Sequence, residues 1–274
     1  MKVLSSESRG EVYFDYAESR KTFVPKGQQS DMRVPYDLKQ KKYYHMKLGI
    51  MQPYFMPYIG YWQMIRVVDK YVVYDDVQFI KGGWINRNNI IVNGNVFMFN
   101  LILEGASSNK LINEISIYRN QTKLLKTIEN SYRKAPYFES VYPIICKIFQ
   151  YEDMNLAKFI GNSILEVCRY LNIDTEIIYS SGLDKNNELK GQDKVINICK
   201  LLNTDTYLNA IGGQALYNKD TFKSESIDLK FLKSTLSTYK QFKNDFIPAL
   251  SIIDVMMFNS VDEVNVLLDN YTLV

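Results

Sequence analysis

Histidine is almost missing from this 274-residue chain: His45 is the single one. Residues 46–274 therefore hold no Ser-His-Asp or Cys-His pair, and most catalytic zinc arrangements are excluded with them. Proton transfer there falls to Asp, Glu, Lys, Tyr or an Arg-assisted water. Cysteine is scarce too. Cys146, Cys168 and Cys199 are odd in number, far apart and without metal-ligand spacing, so neither a disulfide framework nor a metal site is expected, and a reducing cytoplasm is the expected compartment. No run reaches the ~18–20 apolar residues of a membrane-spanning helix, and no apolar stretch follows the N-terminal charges as in a secretory signal.

A field of one charge sign is also lacking. Nine Lys/Arg and six Asp/Glu fall in residues 1–45, which accounts for the net charge of +3; residues 46–274 carry 24 of each sign. A general nucleic-acid partner is not expected from that balance. Tyrosine, in contrast, is abundant at 21 residues. Its flat ring and hydroxyl suit sugar, base or protein contacts, and the same excess follows from AT-rich coding.

Residues 1–45 show no lasting apolar period and read as a poorly ordered N-terminal extension, with Met46 a plausible start. From there apolar runs alternate between strand and helix character. "KLGIMQ", "KYVVYDDVQF", "TEIIYSS", "DTYLNA" and "DLKFLKS" read as strands; "IGYWQMIRVVD", Asp153–Leu171 behind a capping Asp, "GQDKVINICKLLN", "FIPALSIIDVMMF" and "VDEVNVLLDNY" read as helices. The alternation predicts an α/β fold with a Rossmann-like parallel sheet and crossover helices over 46–274. Into it are set an Asn93-Gly94 hairpin and a helical insertion at about 120–172.

Ligands of open parallel sheets bind beyond the carboxyl ends of the strands, and four unusual stretches stand there. "QPYFMPYIGYW" is stiff and aromatic; Pro53 and Pro57 fix the backbone and Gly60 permits close approach at a helix start, unless the stretch is an aromatic plug over the sheet. "YDDVQFIKGGWINRNNI" supplies Asp75, Asp76, Gln78, Lys81, Trp84, Asn86, Arg87 and Asn88. These are carboxylates, amides, cations and a ring, suited to a phosphorylated sugar or nucleotide, or else a solvated hairpin. "SSGLDKNNELKGQDK", from Ser180 to Lys194, could hold phosphate, although loops at this position are polar in any case. "TYLNAIGGQALY" places Asn209, Gly212 and Gly213 before a helix expected near Gln214. Further on, Ser251 and Asp254 share a helical face and also fit a helix N-terminal signature.

Four of these segments resemble the WbqC-like proteins of bacteria: "QPYFMPYIGYW", "DDVQFIKGGWINRN", "YLNAIGGQALY" and "YKQFKNDFIPALSIID". The family patterns are Q-P-x-Y/F-x-P-x-x-G-Y, D-D-V-Q-F with W-x-N-R-N soon after, Y-L-x-x-x-G-G, and Y-x-Q-x-x-x-F-x-P-x-L-S-I-I-D. The resemblance spans nearly everything after Met46. It implies a setting in O-antigen or other surface-polysaccharide assembly, and it nominates Gln52, Pro53, Gly60, Asp75, Asp76, Gln78, Trp84, Asn86, Arg87, Asn88, Gly212, Gly213, Gln241 and Asp254. A weaker similarity is to H-x-G-H nucleotidyltransferases. Tyr58 and Tyr61 stand where that motif has its histidines, which implies the fold without ordinary nucleotidyl transfer.

The expected function is group transfer to an activated, nucleotide-linked sugar in the cytoplasm, by an enzyme that can associate with others of its pathway. Asp75 or Asp76 would take the acceptor proton, Arg87 and Lys81 would hold phosphate, Trp84 would stack on a ring, and Gln52 and Asn86 would orient hydroxyls. The alternative is a non-catalytic module that binds a nucleotide sugar or a partner enzyme. No metal site and no particular cofactor are indicated. Both readings place Gln52, Asp76, Arg87 and Gly213 around one crevice.

Overall fold

Leu48, Gly49 and Ile50 are buried in β1 (Lys47–Met51), a strand covered on both faces, which is why it reads as a continuous apolar run. The computed structural model describes residues 45–243 and 245–274; the extension expected over 1–45 lies outside them apart from His45. After β1 a proline-rich bend leads into α1 (Ile59–Val67), and the chain returns through β2 (Lys70–Val73). A hairpin follows, β3 (Arg87–Val92) and β4 (Asn95–Asn100), with Asn93 and Gly94 both at positive φ as its two-residue turn requires. A short pair, β5 (Leu103–Glu104) and β6 (Ser116–Ile117), leads to the helical insertion: α2 (Thr122–Tyr132), α3 (Phe138–Phe149) and α4 (Leu156–Leu171). Then come β7 (Glu176–Tyr179), α5 (Gly191–Leu201), β8 (Thr206–Ala210), α6 (Lys219–Ser224) and β9 (Asp228–Ser234). The chain closes with α7 (Ile252–Phe258), α8 (Val261–Leu268) and β10 (Tyr271–Leu273).

The main sheet is ordered β10-β9-β8-β1-β2-β7, parallel except for β10 on β9. Counted among themselves from β7, the five parallel strands stand 3-2-1-4-5, so the order reverses between β1 and β8. Alternate strand residues feed two cores. Tyr71 and Val73 join Trp62, Ile65, Ile164 and Met256 on the side of α1, α4, α7 and α8. Leu48, Ile50 and Val72 join Val195, Ile198 and Phe222 on the side of α5 and α6.

Several element boundaries differ from the sequence reading. Asn155, not Asp153, caps α4, its side chain accepting from Lys158 N at 3.2 Å, while Asp153 accepts from Asn155 N at 2.9 Å. No α-helix begins near Gln214. Ile211–Leu216 is a 3-10 turn, and α6 starts only after Asn218, whose side chain accepts from Asp220 N and Thr221 N. The stretch from Phe246 to Leu250 is not helical, because Pro248 and the positive φ of Ala249 interrupt it; α7 starts after Ser251. The antiparallel β10 was not expected at all. Among the described residues no helix is long and apolar enough to cross a membrane.

Candidate functional site

β2 stops at Val73, so Asp75 and Asp76 stand just beyond its carboxyl end and point to different partners. Asp75 is fully buried and accepts from Ser181 N at 2.9 Å and Ser181 Oγ at 2.6 Å, fastening the turn after β7 to the end of β2. Asp76 meets two lysines. Its Oδ2 lies 2.8 Å from Lys185 Nζ and 3.0 Å from Lys194 Nζ, and the Lys194 ammonium also reaches the Asp76 carbonyl and the Tyr74 ring. Both lysine side chains are almost wholly enclosed, at 1% and 9% exposure, and Lys185 also donates to Ser180 O.

These groups wall a cavity of about 650 Å³, lined among others by Tyr74, Asp76, Ser181, Lys185, Lys190 and Lys194. Three lysines line the basin against one carboxylate, Asp76, so its lining carries an excess of positive charge. The first turn of α5, which also carries Asp193, contributes its backbone dipole. Lys190 occupies the cap position without a side-chain hydrogen bond, which leaves backbone N–H groups of the helix start free for an anion. Burial pushes the Asp76 carboxyl up, but donors from Lys185, Ser180 and Lys194 outweigh it and hold the pKa below the usual 3.8. The Ser180 hydroxyl acts there by proximity: both it and Asp76 Oδ1 are buried without a hydrogen bond of normal geometry. A carboxylate held so low is a charge partner at neutral pH and a weak proton acceptor.

A second cavity, of about 380 Å³, is mostly apolar and is lined by Tyr54, Pro57, Tyr58, Trp84, Asn88 and Pro248 together with four neighbours. Three distant stretches build it around the backbone of Met56 and Pro57. Asn88 Nδ2 and Ser251 Oγ both donate to Met56 O, at 2.8 and 2.7 Å. Trp62 Nε1 and Ile252 N donate to Pro57 O. Met56 itself has φ +46°, a strained value for a long side chain that these four bonds hold in place.

The two cavities share no lining residue. Of Gln52, Asp76, Arg87 and Gly213, only Asp76 lines either one, so the single crevice expected from sequence divides into a basin and a cleft. Gln78 lines the basin, and Tyr58, Trp84 and Asn88 line the cleft. Lys81 is exposed on the loop before the hairpin. Asn86 fastens that hairpin by donating to Leu101 O, and Pro53 is buried. Tyr61 lies in the core and donates to Gln52 O; a Cβ on Gly60 would strike the Tyr58 ring at 2.6 Å. Gln241 and Asp254 form a buried hydrogen-bonded pair rather than a cavity wall.

At the end of β8, Gly212 faces open space, whereas a Cβ on Gly213 would lie 2.6 Å from Asn209 Oδ1. Asn209 cannot retreat freely, because it is buried and donates to Tyr207 OH at 2.6 Å. Gly213→Ala is therefore expected to lower stability by about 1–3 kcal/mol, measured by urea unfolding; an unchanged midpoint would show that the turn adapts.

Sequence reasoning missed Lys185, Lys190, Lys194 and Ser181 as a group, since a polar Ser180–Lys194 loop looked ordinary. A signal was present. Lys194 stands on the apolar face of α5, one residue before Val195 and four before Ile198, where a lysine is out of pattern. Among the described residues no group of three His, Cys, Asp or Glu side chains is placed to hold a metal ion.

The model of the WbqC-like protein family matches residues 52–266, a span that includes both cavities. The chain belongs to the WbqC-like family. A relative in Mycobacterium tuberculosis, the uncharacterized protein Rv1507c, is 24% identical over 218 residues, covering 78% of this chain and 93% of its own. No solved structure matches this WbqC-like chain.

Proposed function

We propose that this WbqC-like protein is an enzyme of bacterial surface-polysaccharide assembly that binds a nucleotide-linked or similarly activated sugar in the basin and takes part in group transfer to it. The observation that carries the reading is the excess of lysines over carboxylates in the basin's lining at the carboxyl edge of the parallel strands, beside a helix start without a side-chain cap. Phosphate would meet Lys190, Lys194 and the first N–H groups of α5, with the enclosed Lys185 acting through its field. Phosphate contact thus shifts from Arg87 and Lys81 to the α5 lysines. The 3-2-1-4-5 order also supports a nucleotidyltransferase-like Rossmann reading, with Tyr61 enclosed where a catalytic histidine would stand. A cytoplasmic site of action and association with other enzymes of the pathway belong to the same proposal.

A second reading, a non-catalytic nucleotide-sugar module, is favoured by one observation: Asp75 is tied to Ser181 and Asp76 is a weak base, so neither carboxylate is poised to accept a proton. Calorimetric titration with a panel of nucleoside diphosphate sugars tests both. Saturable binding weakened about tenfold or more by Lys194→Ala, ~1.4 kcal/mol, is expected, followed by a mass-shifted sugar product once the correct donor is supplied. Binding without product across donors selects the module, and no binding by any sugar nucleotide removes both.

A further inference from the structure

We infer that the aromatic cleft is a second ligand site, separate from the basin, for a ring-sized organic anion: a flat aromatic ring or the apolar face of a sugar, bearing a phosphate or carboxylate. Its volume of about 380 Å³ suits one ring with its substituents. Trp84 and Tyr58 are held 47% and 37% exposed at this cleft, although the chain encloses its other tryptophan, Trp62, completely. The wall behind them is rigid, since the bonds to Met56 O and Pro57 O lock the bend, the hairpin and the start of α7 together.

Arg87, which does not itself line the cleft but stands against its Trp84 wall, supplies the charge. Its guanidinium stands 5.7 Å from the centre of the Trp84 ring, and its Nε is buried without a partner. Among the described residues no carboxylate pairs with it. A half-buried cation with no counterion, stacked on the ring that walls an apolar cleft, is complementary to an anion carried by a stacked ring. The cleft is also built on the opposite core from the basin: Tyr54 packs with the α1 and α4 cluster, whereas Tyr74 packs with the α5 and α6 cluster. The inference therefore stands apart from the function proposed for the basin.

The two tryptophans make the test direct, because Trp62 is enclosed and Trp84 reports on the cleft. Trp emission is titrated with phenyl phosphate and glucose 1-phosphate, and with benzyl alcohol and glucose as neutral counterparts. The expected result is saturable quenching by at least one charged ring, about tenfold tighter than by its neutral counterpart. Arg87→Gln removes that preference and Arg87→Lys restores part of it, while Lys194→Ala leaves it unchanged. Aromatic or sugar arms then identify the ring. Non-saturable quenching, equal affinity for charged and neutral rings, or an Arg87→Gln chain that binds like the native one overturns the inference. Should Arg87→Gln fail to fold, the charged-against-neutral comparison on the native chain decides alone.

Discussion

Asp254→Ala is expected to lower folding stability by about 3–5 kcal/mol, and the melting temperature by about 10 °C. The carboxylate is fully buried and accepts three hydrogen bonds: Tyr132 OH at 2.8 Å, Tyr239 OH at 2.7 Å and Gln241 Nε2 at 2.7 Å. Alanine leaves the Tyr132 and Tyr239 hydroxyl protons without their acceptor and takes one acceptor from the Gln241 amide, which keeps Ile247 O. The loss spreads, because Tyr132 OH also accepts from Ile91 N in β3, and Gln241 clasps the backbone of Ile247 through both ends of its amide. The hub thus ties α2, the hairpin and the 239–247 segment to α7.

The pH dependence follows from burial, which pushes the Asp254 carboxyl above 3.8 even though Tyr239, Tyr132 and Gln241 pull it down. The folded chain binds this proton more tightly than the unfolded one. The stability it contributes is fully present below 3.8 and is lost as pH rises through the folded pKa. Asp254→Asn abolishes that slope, so the native chain loses ground to the Asn variant as pH rises across the window. Urea unfolding against pH reads it. A difference independent of pH, or an Asp254→Ala chain that melts with the native one, rejects the hub.

How much of this was legible in sequence depends on where the signal was local. The strand of Asp228–Ser234 and the hairpin around Asn93-Gly94 were readable because strand periodicity and a positive-φ turn are encoded in adjacent residues. β10 was invisible, since Tyr271–Leu273 is three residues long and becomes a strand only because β9 offers it an edge. The Y-x-Q…F-x-P-x-L-S-I-I-D stretch was legible as a motif but not as a role. Ser251 proves to cap α7 and brace Met56, while Asp254 is a buried anchor.

The basin shows the same limit more sharply. "DD" and the Ser180–Lys194 loop were both noticed, yet their pairing depends on β2 lying beside β7, across more than a hundred residues. Charge counted along the chain is neutral after residue 45; charge counted in space sets two lysines on Asp76 and a third, Lys190, in the same cavity wall. Trp84 and Arg87 were likewise expected beside Asp76, but Trp84 lines the other cavity and Arg87 stands against its ring. Topology, not residue type, made that difference.

Asp76→Asn is expected to bind inorganic pyrophosphate more tightly than the native chain, by about fivefold. A unit charge about 6 Å from the ligand at an effective dielectric of about 20 contributes about 3 kcal/mol before screening, and ions reduce this to about 1 kcal/mol. Removing the one carboxylate from the basin removes that repulsion. Lys194→Ala should act oppositely, weakening pyrophosphate by about tenfold or more, with both effects shrinking at high salt. The same Asn substitution should reduce the stability of the free chain, because Lys185 and Lys194 then face each other without their shared counterion. It should also erase an acid limb. The lowered pKa of Asp76 gives stability that is present above 3.8 and lost as pH falls through the folded value, and asparagine has none to lose. Added pyrophosphate would then stabilise Asp76→Asn more than the native chain by mass action. A catalytic-base role predicts something different: unchanged pyrophosphate affinity with turnover gone. Pyrophosphate binding to Asp76→Asn that is equal or weaker would therefore refute the basin as an anion site whose charge this carboxylate moderates.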